Sequence, residues 1–110
     1  MADDKTTVYE AGQLALTAAS CTIYNAAGDK VAMIESPGAV SFFDGRVCHL
    51  NADGRVEDAD RRFLGVFSEG KVFDHEHRQV GEAEGILAGP AAAALLAIRA
   101  TQKSAGQDLK

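Results

Sequence analysis

Short apolar runs alternate with polar residues and glycine along most of the chain. One pattern recurs: an apolar or aromatic residue, polar residues, glycine, further polar residues and then an aliphatic residue. Asn or Asp can bond the backbone ahead of it, glycine supplies positive φ, and the flanking apolar residues supply paired strands. The segments that fit are YEAGQL (9–14), YNAAGDKV (24–31), FDGRV (43–47), LNADGRV (50–56) and FSEGKV (67–72). The pattern predicts a mainly β fold, an array of short β-hairpins across residues 8–84. Its irregular spacing predicts no fixed period.

The pattern changes after Gly85, where the sequence GPAAAALLAIRATQK begins at Gly89. Gly89 is a plausible N-cap, and Pro90 suits the first helical position because its missing N–H has no partner there. Alanine and leucine have high helix propensity. The sequence therefore predicts one C-terminal α-helix over residues 90–103, followed by a flexible tail over residues 104–110.

The first turns of this predicted helix are apolar on nearly every side. Leu95, Leu96 and Ile98 cannot share one narrow stripe, because steps of one and two residues turn a helix by about 100° and 200°. A single contact surface would leave at least one of them in water, so we expect the sheet, a second chain or both to cover the helix. A peripheral membrane anchor is the alternative, although the apolar run 91–98 is too short to span a bilayer.

Composition and charge narrow the class of protein. The chain has 110 residues, of which 46% are hydrophobic and 25% charged, as expected of one globular domain. Its formal net charge of −5 makes nucleic acid and anionic membranes poor partners. Asp3 and Asp4 stand where a secretory signal would be basic, which favours a cytoplasmic protein. We therefore predict that Cys21 and Cys48 are unpaired thiols, with Cys48 at a position that requires a small residue.

The segment FDHEHRQVG (73–81) contains the only dense group of candidate chemistry, including two of the three histidines. It fits the hairpin pattern without any ligand. His77 then stands in place of a turn glycine, and histidine is one of the residues enriched at positive φ. We predict that His77 has positive φ in a solvated turn. The alignment pairs Phe73 with Tyr24, Asp74 with Asn25, His77 with Gly28 and Val80 with Val31.

A metal site is the alternative interpretation of the same histidines. Zinc needs three or four ligands, and His49 would have to join His75 and His77 in space. The latter two share a face only if the segment is extended, whereas the hairpin pattern predicts a turn. The sequence contains no nucleophile elbow, GxGxxG or phosphate-binding loop. We therefore predict no catalytic, cofactor-binding or metal-binding residues.

The segment RFLGVFSEGKVFDHEHRQVG (62–81) resembles the four-fold β-flower proteins, a small bacterial family. The family pattern runs basic–x–Leu-Gly–aromatic–aromatic–x–x–Gly–x–aliphatic–x–Asp, then a turn with glycine and a valine. Val66 departs from it where an aromatic residue is usual, and His77 departs from it at the turn glycine. The resemblance implies pseudo-four-fold symmetric hairpins and brings no activity or catalytic residues. The matching positions are Leu64, Gly65, Phe67, Gly70, Val72, Asp74 and Val80.

These observations predict a small, soluble, non-enzymatic domain that acts through self-association or protein–protein interaction. The reasons are the lack of a catalytic constellation, the hairpin edges that need protection and the apolar helix that needs cover. A homo-oligomer is the expected state. The alternatives are a metal- or small-ligand-binding protein that uses His49, His75 and His77, and a peripheral membrane module that uses the C-terminal helix.

Overall fold

The computed structural model describes residues 6–36 and 38–108, the part from 101 to 108 by its backbone only. These described residues form ten β-strands followed by one α-helix, which confirms the predicted fold class. The elements are β1 (Thr6–Glu10), β2 (Gln13–Ala19), β3 (Thr22–Asn25), β4 (Lys30–Ser36), β5 (Ala39–Phe42), β6 (Val47–Leu50), β7 (Arg55–Asp58), β8 (Phe63–Ser68), β9 (Lys71–Asp74), β10 (Gln79–Glu84) and α1 (Ala88–Asp108).

The ten strands close into a single antiparallel barrel. Each strand pairs with the next one along the chain, and β1 pairs with β10 through Val8 and Ala83. In the closed barrel every described strand is paired on both sides, so none presents a row of unpaired backbone N–H and C=O groups. The expectation that hairpin edges need protection is therefore wrong. Because the chain runs up and down, its connections lie alternately at the two ends of the barrel.

The inner wall of the barrel repeats once per hairpin, and it does so five times. Each hairpin places a buried β-branched residue directly opposite a second buried residue, which is small in four of the five hairpins. The barrel thus has five hairpins rather than the four that the resemblance implied. The pairs are Val8 with Leu16, Ile23 with Ala32, Val40 with Cys48, Val56 with Gly65 and Val72 with Gly81.

The first half of α1 lies inside this barrel. It contacts β1, β2 and β5 to β10, and its residues from Ala91 to Ala97 are all buried. Of the three residues that one contact surface was expected not to cover fully, Leu95 and Leu96 are both only 2% exposed, and Ile98 is partly buried. One barrel surrounds the helix on all sides, which a flat sheet cannot do.

Glycines bring the helix and the wall together where alanine would be too large. A Cβ atom on Gly65 would lie 2.9 Å from the Leu96 methyl groups, and one on Gly81 would lie 3.3 Å from a Leu95 methyl group. The helix's own Gly89 leaves room for Leu50, whose Cδ2 would lie 2.8 Å from an added Cβ. Close packing of this kind makes the core sensitive to added volume.

The helix differs from the predicted one at both ends. It begins at Ala88, before Gly89 and Pro90, and the backbone N–H of Leu87 donates to Oγ1 of Thr6 at 2.9 Å. Pro90 still lies in the first turn, where its missing N–H costs no intrahelical bond. The helix ends at Asp108 rather than at residue 103, so most of the predicted flexible tail is helical, while residues 109 and 110 lie outside the described residues.

The part of the chain that the structure describes contains no helix long and apolar enough to cross a membrane. The peripheral membrane alternative depends on the apolar run 91–98, of which residues Ala91 to Ala97 lie inside the barrel and Ile98 is partly buried.

Candidate binding surface

Five connections lie at the end of the barrel from which α1 emerges, and we call this end the turn rim. An ion pair between Arg99 of α1 and Glu10 of β1 joins the helix to the rim. Both side chains are about one-third exposed, so solvent weakens this pair. The rim connections are residues 11–12, 25–29, 42–46, 58–62 and 74–78.

Four of the rim connections are the same five-residue turn. In each, the first N–H donates to the fifth C=O and the fourth N–H donates to the first C=O, at 2.8–3.1 Å. The first residues are Asn25, Phe42, Asp58 and Asp74, which are 17, 16 and 16 residues apart. A regular period therefore exists. It was not visible in the sequence because successive turns lie at opposite ends of the barrel.

A side-chain oxygen closes three of these turns. Oδ1 of Asn25, Asp58 and Asp74 accepts two backbone N–H groups, two and four residues ahead, at 2.8–3.0 Å. Phe42 has no such oxygen, and there Asp44 accepts the N–H of Arg46 at 3.1 Å instead. The turns are thus held by side chain to backbone bonds of the kind expected of Asx turns.

Two rim carboxyl groups have pKa values lowered by these bonds. Burial raises the pKa of Asp74. The backbone N–H groups of Arg78 and Glu76 and the positive charge of Arg78 lower it by more, so the pKa lies below its ordinary value of 3.8. The backbone N–H of Arg46 is the main cause of the lowered pKa of Asp44. Both shifts follow from the turns themselves, so neither requires a ligand or a reaction.

The fourth residue of each turn has positive φ, which confirms the prediction for His77. Its φ is 66°, and that of the aligned Gly28 is 94°. The hairpin pattern missed Arg61, at 68°, because the pattern requires a glycine and this turn has none. The position of Asp58, sixteen residues before Asp74, would have revealed this turn.

His49 lies apart from the other two histidines. His75 and His77 are in the turn between β9 and β10, where the His77 ring meets Phe63 edge to face with centroids 6.2 Å apart. His49 is on β6, three strands away around the barrel from β9. Among residues 6–36 and 38–100, no group of three or more His, Cys, Asp or Glu side chains is placed to hold a metal ion.

Both cysteines are free thiols in different environments. Cys48 is buried against the helix, and burial raises the pKa of its thiol to about 12. Cys21 is exposed, at φ 64° in the tight turn between β2 and β3, rather than on a strand. Cys48 therefore belongs to the core, and its thiolate is scarce at neutral pH.

One hollow opens at the turn rim between the 42–46 turn, the 58–62 turn and α1. It measures about 360 Å³. Ala97, Ala100 and Leu64 form an apolar floor, while charges of both signs, from Arg46, Arg62 and Asp60, line its sides. With Asp58, which also lines the hollow, two acidic residues face two basic ones.

A larger hollow lies on the outer wall across the junction of β1 and β10, and we call it the β1–β10 groove. It measures about 570 Å³, and its lining includes Tyr9, Gly12, Gln79, Val80, Glu82 and Glu84. Tyr9 is 38% exposed and pairs across strands with Leu14, which is 40% exposed. No ion pair joins either groove glutamate to another described residue. The groove thus combines exposed apolar side chains with two glutamates that form no ion pair in the described part of the chain.

Comparisons with protein-family models, with curated proteins and with solved structures find no match to this chain. The resemblance of residues 62–81 to the four-fold β-flower family stays a prediction.

Proposed function

We propose that the protein is a non-enzymatic binding domain that associates with another protein through the β1–β10 groove. The observation that carries this proposal is the pairing of exposed Tyr9 and Leu14 beside a groove of about 570 Å³. Exposed apolar side chains grouped beside a concave surface are typical of protein contact sites. Because the barrel is closed, a partner must contact side chains rather than add a strand.

The environment of the perturbed titratable groups supports a non-enzymatic role. Strongly shifted pKa values are typical of catalytic groups, which makes them a useful guide to active sites. Among the residues that the structure describes, the groups with shifted pKa values are Asp44, Asp74 and Cys48, and turn hydrogen bonds or core burial account for each of them. None of them requires an explanation by catalysis.

Site-specific photo-crosslinking in cells of the natural host tests the proposal. A photoreactive amino acid at Gln79, which lines the groove, is compared with the same amino acid at Met33, which is exposed on β4. We expect a crosslinked protein of defined mass from position 79 only, and purified partner should bind at least about tenfold more weakly after Tyr9→Ala. Identical products from both positions, or none from position 79, would contradict the proposal.

The homo-oligomer is one form of this proposal, in which the partner is a second copy of the chain. Light scattering of the full-length protein over a range of concentrations measures its mass. A dimer or larger species that Leu14→Lys returns to monomer, while Met33→Lys does not, would identify the second copy as the partner. A monomer at every concentration would restrict the partner to a different protein.

A further inference from the structure

We infer that the β1–β10 groove accepts a cationic, amphipathic segment of a partner protein, with two basic residues and one apolar residue on the same side. This inference rests on the proposed function and specifies the chemistry of the partner. The inference depends on three features of the groove: its negative charge, the spacing of its side chains and the position of its exposed apolar residues.

The negative charge of the groove comes from one row of side chains on β10. Gly81 and Ala83 face the interior and are buried, so Glu82 and Glu84 lie on the outer face, where both are exposed. Residues two apart on one face of a strand are separated by about 7 Å. The chain as a whole carries a formal charge of −5, which adds to the attraction for a basic segment.

The neighbouring charges leave these two carboxylates available. Lys71 on β9 lies directly opposite Glu82, yet no ion pair joins them in the described part of the chain. On the other side, Glu82 is opposite Tyr9 of β1, which has no basic group to pair with a carboxylate. Glu10, the next acidic residue on β1, is already paired with Arg99. A partner cation therefore approaches from the β1 side.

The apolar part of the groove lies on the turn-rim side of Glu84. Tyr9 is directly opposite Glu82 and pairs with Leu14 of β2, while Val80 lies at the β10 bulge between Gln79 and Gly81, where it lines the groove and packs partly against the core. An extended segment presents every second side chain to the same side at a spacing of about 7 Å. A Lys-x-Lys-x-Leu segment can thus place its two ammonium groups on Glu84 and Glu82 and its leucine beyond Glu82, against the Tyr9 ring and the surface of Val80 that lines the groove.

Binding of short blocked peptides to the full-length protein tests this inference. The probe is Lys-Ser-Lys-Ser-Leu, with Glu-Ser-Glu-Ser-Leu as the charge-reversed control. Affinity is measured by fluorescence anisotropy, and backbone amide shifts in nuclear magnetic resonance locate the site. We expect the basic peptide alone to bind, with shifts concentrated on β1 and β10 and with affinity that falls as salt rises.

Two charge-matched double variants separate the groove from the net charge. Glu82→Gln with Glu84→Gln should weaken binding of the basic peptide by at least about tenfold. Glu35→Gln with Glu69→Gln removes the same charge from exposed positions on β4 and in the β8–β9 turn, and it should change affinity less than about twofold. Circular dichroism checks that both variants keep the fold.

The inference is overturned if both peptides bind equally, if the control variant weakens binding as much as the groove variant, or if the shifts lie elsewhere. Such a result with groove-specific crosslinking from position 79 would leave the proposed function intact. Without groove-specific crosslinking, the proposed function fails whatever the peptides do.

Discussion

The inner wall and the turn rim both repeat around the barrel, yet they accept very different residues. On the inner wall, the β-branched residues of four repeats are opposite alanine, cysteine or glycine, and the glycines at 65 and 81 leave room for the helix. At the rim, the position with positive φ accepts glycine, arginine or histidine, as at Gly45, Arg61 and His77. Side-chain volume is the constraint on the wall, whereas hydrogen bonds to the backbone define the rim turns and leave the side chains at the turn tips in solvent. Substitutions should therefore cost far more at the wall.

The largest effect is expected from added volume on the wall, in Gly65→Val. Its Cβ would meet the carbonyl oxygen of Phe73 and the methyl groups of Leu96, so the chain must shift locally. We expect a loss of about 3 kcal/mol or more in the free energy of unfolding, measured by urea denaturation. Ser68→Val, exposed on the same strand, is the control and should be nearly neutral. Equal stability of the two variants would show that the wall has spare volume.

The next largest effect is expected from removing volume at the same contact, in Leu96→Ala. This side chain is 2% exposed inside the barrel, so truncation leaves a cavity. We expect the free energy of unfolding to fall by about 2–5 kcal/mol. Leu14→Ala, at a side chain that is 40% exposed, should cost much less in the same measurement. A similar loss for both would argue against a helix enclosed by the barrel.

A smaller effect is expected at the rim, in Asp74→Ala. The substitution removes the oxygen that accepts the N–H groups of Glu76 and Arg78 and should cost about 1–2 kcal/mol. Asp74→Asn keeps that oxygen, as Asn25 does in its own turn, and should retain most of the stability.

The same pair of variants predicts a pH dependence. Because folding lowers the pKa of Asp74 below 3.8, its contribution is fully present above that value and is lost as pH falls through the folded pKa. The advantage of the natural protein over Asp74→Ala should therefore shrink below about pH 4 in urea denaturation. An advantage that grows with acidity would contradict the assigned direction of the shift.

The smallest change in stability is expected for His77→Gly, and its sign is opposite. Glycine adopts positive φ without steric cost, so the variant should be neutral or more stable by up to about 1 kcal/mol. His75→Gly, in the same turn but without positive φ, should be slightly destabilising. Thermal unfolding of the two variants measures the difference. A clear loss of stability in His77→Gly would mean that the ring contact with Phe63 outweighs the backbone strain.

The last prediction concerns the chemical reactivity of the two thiols and not the stability of the protein. At pH 8 an aromatic disulfide reagent should modify exposed Cys21 and leave Cys48 intact, because burial raises the pKa of Cys48 to about 12. Two thiols should react after denaturation. Rapid reaction of both in the folded protein would show that the wall opens beside Cys48.

The sequence by itself determined the local structure, because turns depend on nearby residues. Glycine, or an Asx side chain with a residue that tolerates positive φ, identifies most hairpins, and the alignment of His77 with Gly28 predicts its positive φ. The alanine-rich helix was recognised from propensity and its proline. Arg61 was missed because its turn lacks glycine and lies within a run of charged residues.

Only the tertiary structure decided how these pieces close. The pairing of β1 with β10 joins residues about 70 positions apart, and nothing local in Val8 or Ala83 specifies it. The sequence left open whether the sheet or a second chain covers the apolar helix. In the structure the closed barrel covers it, and the helix forms the core of that barrel. Closure also created the β1–β10 groove, since Tyr9 and Glu82 become neighbours only when the first and last strands meet. Contacts between distant segments depend on the summed twist and packing of every strand, which no short stretch of sequence contains.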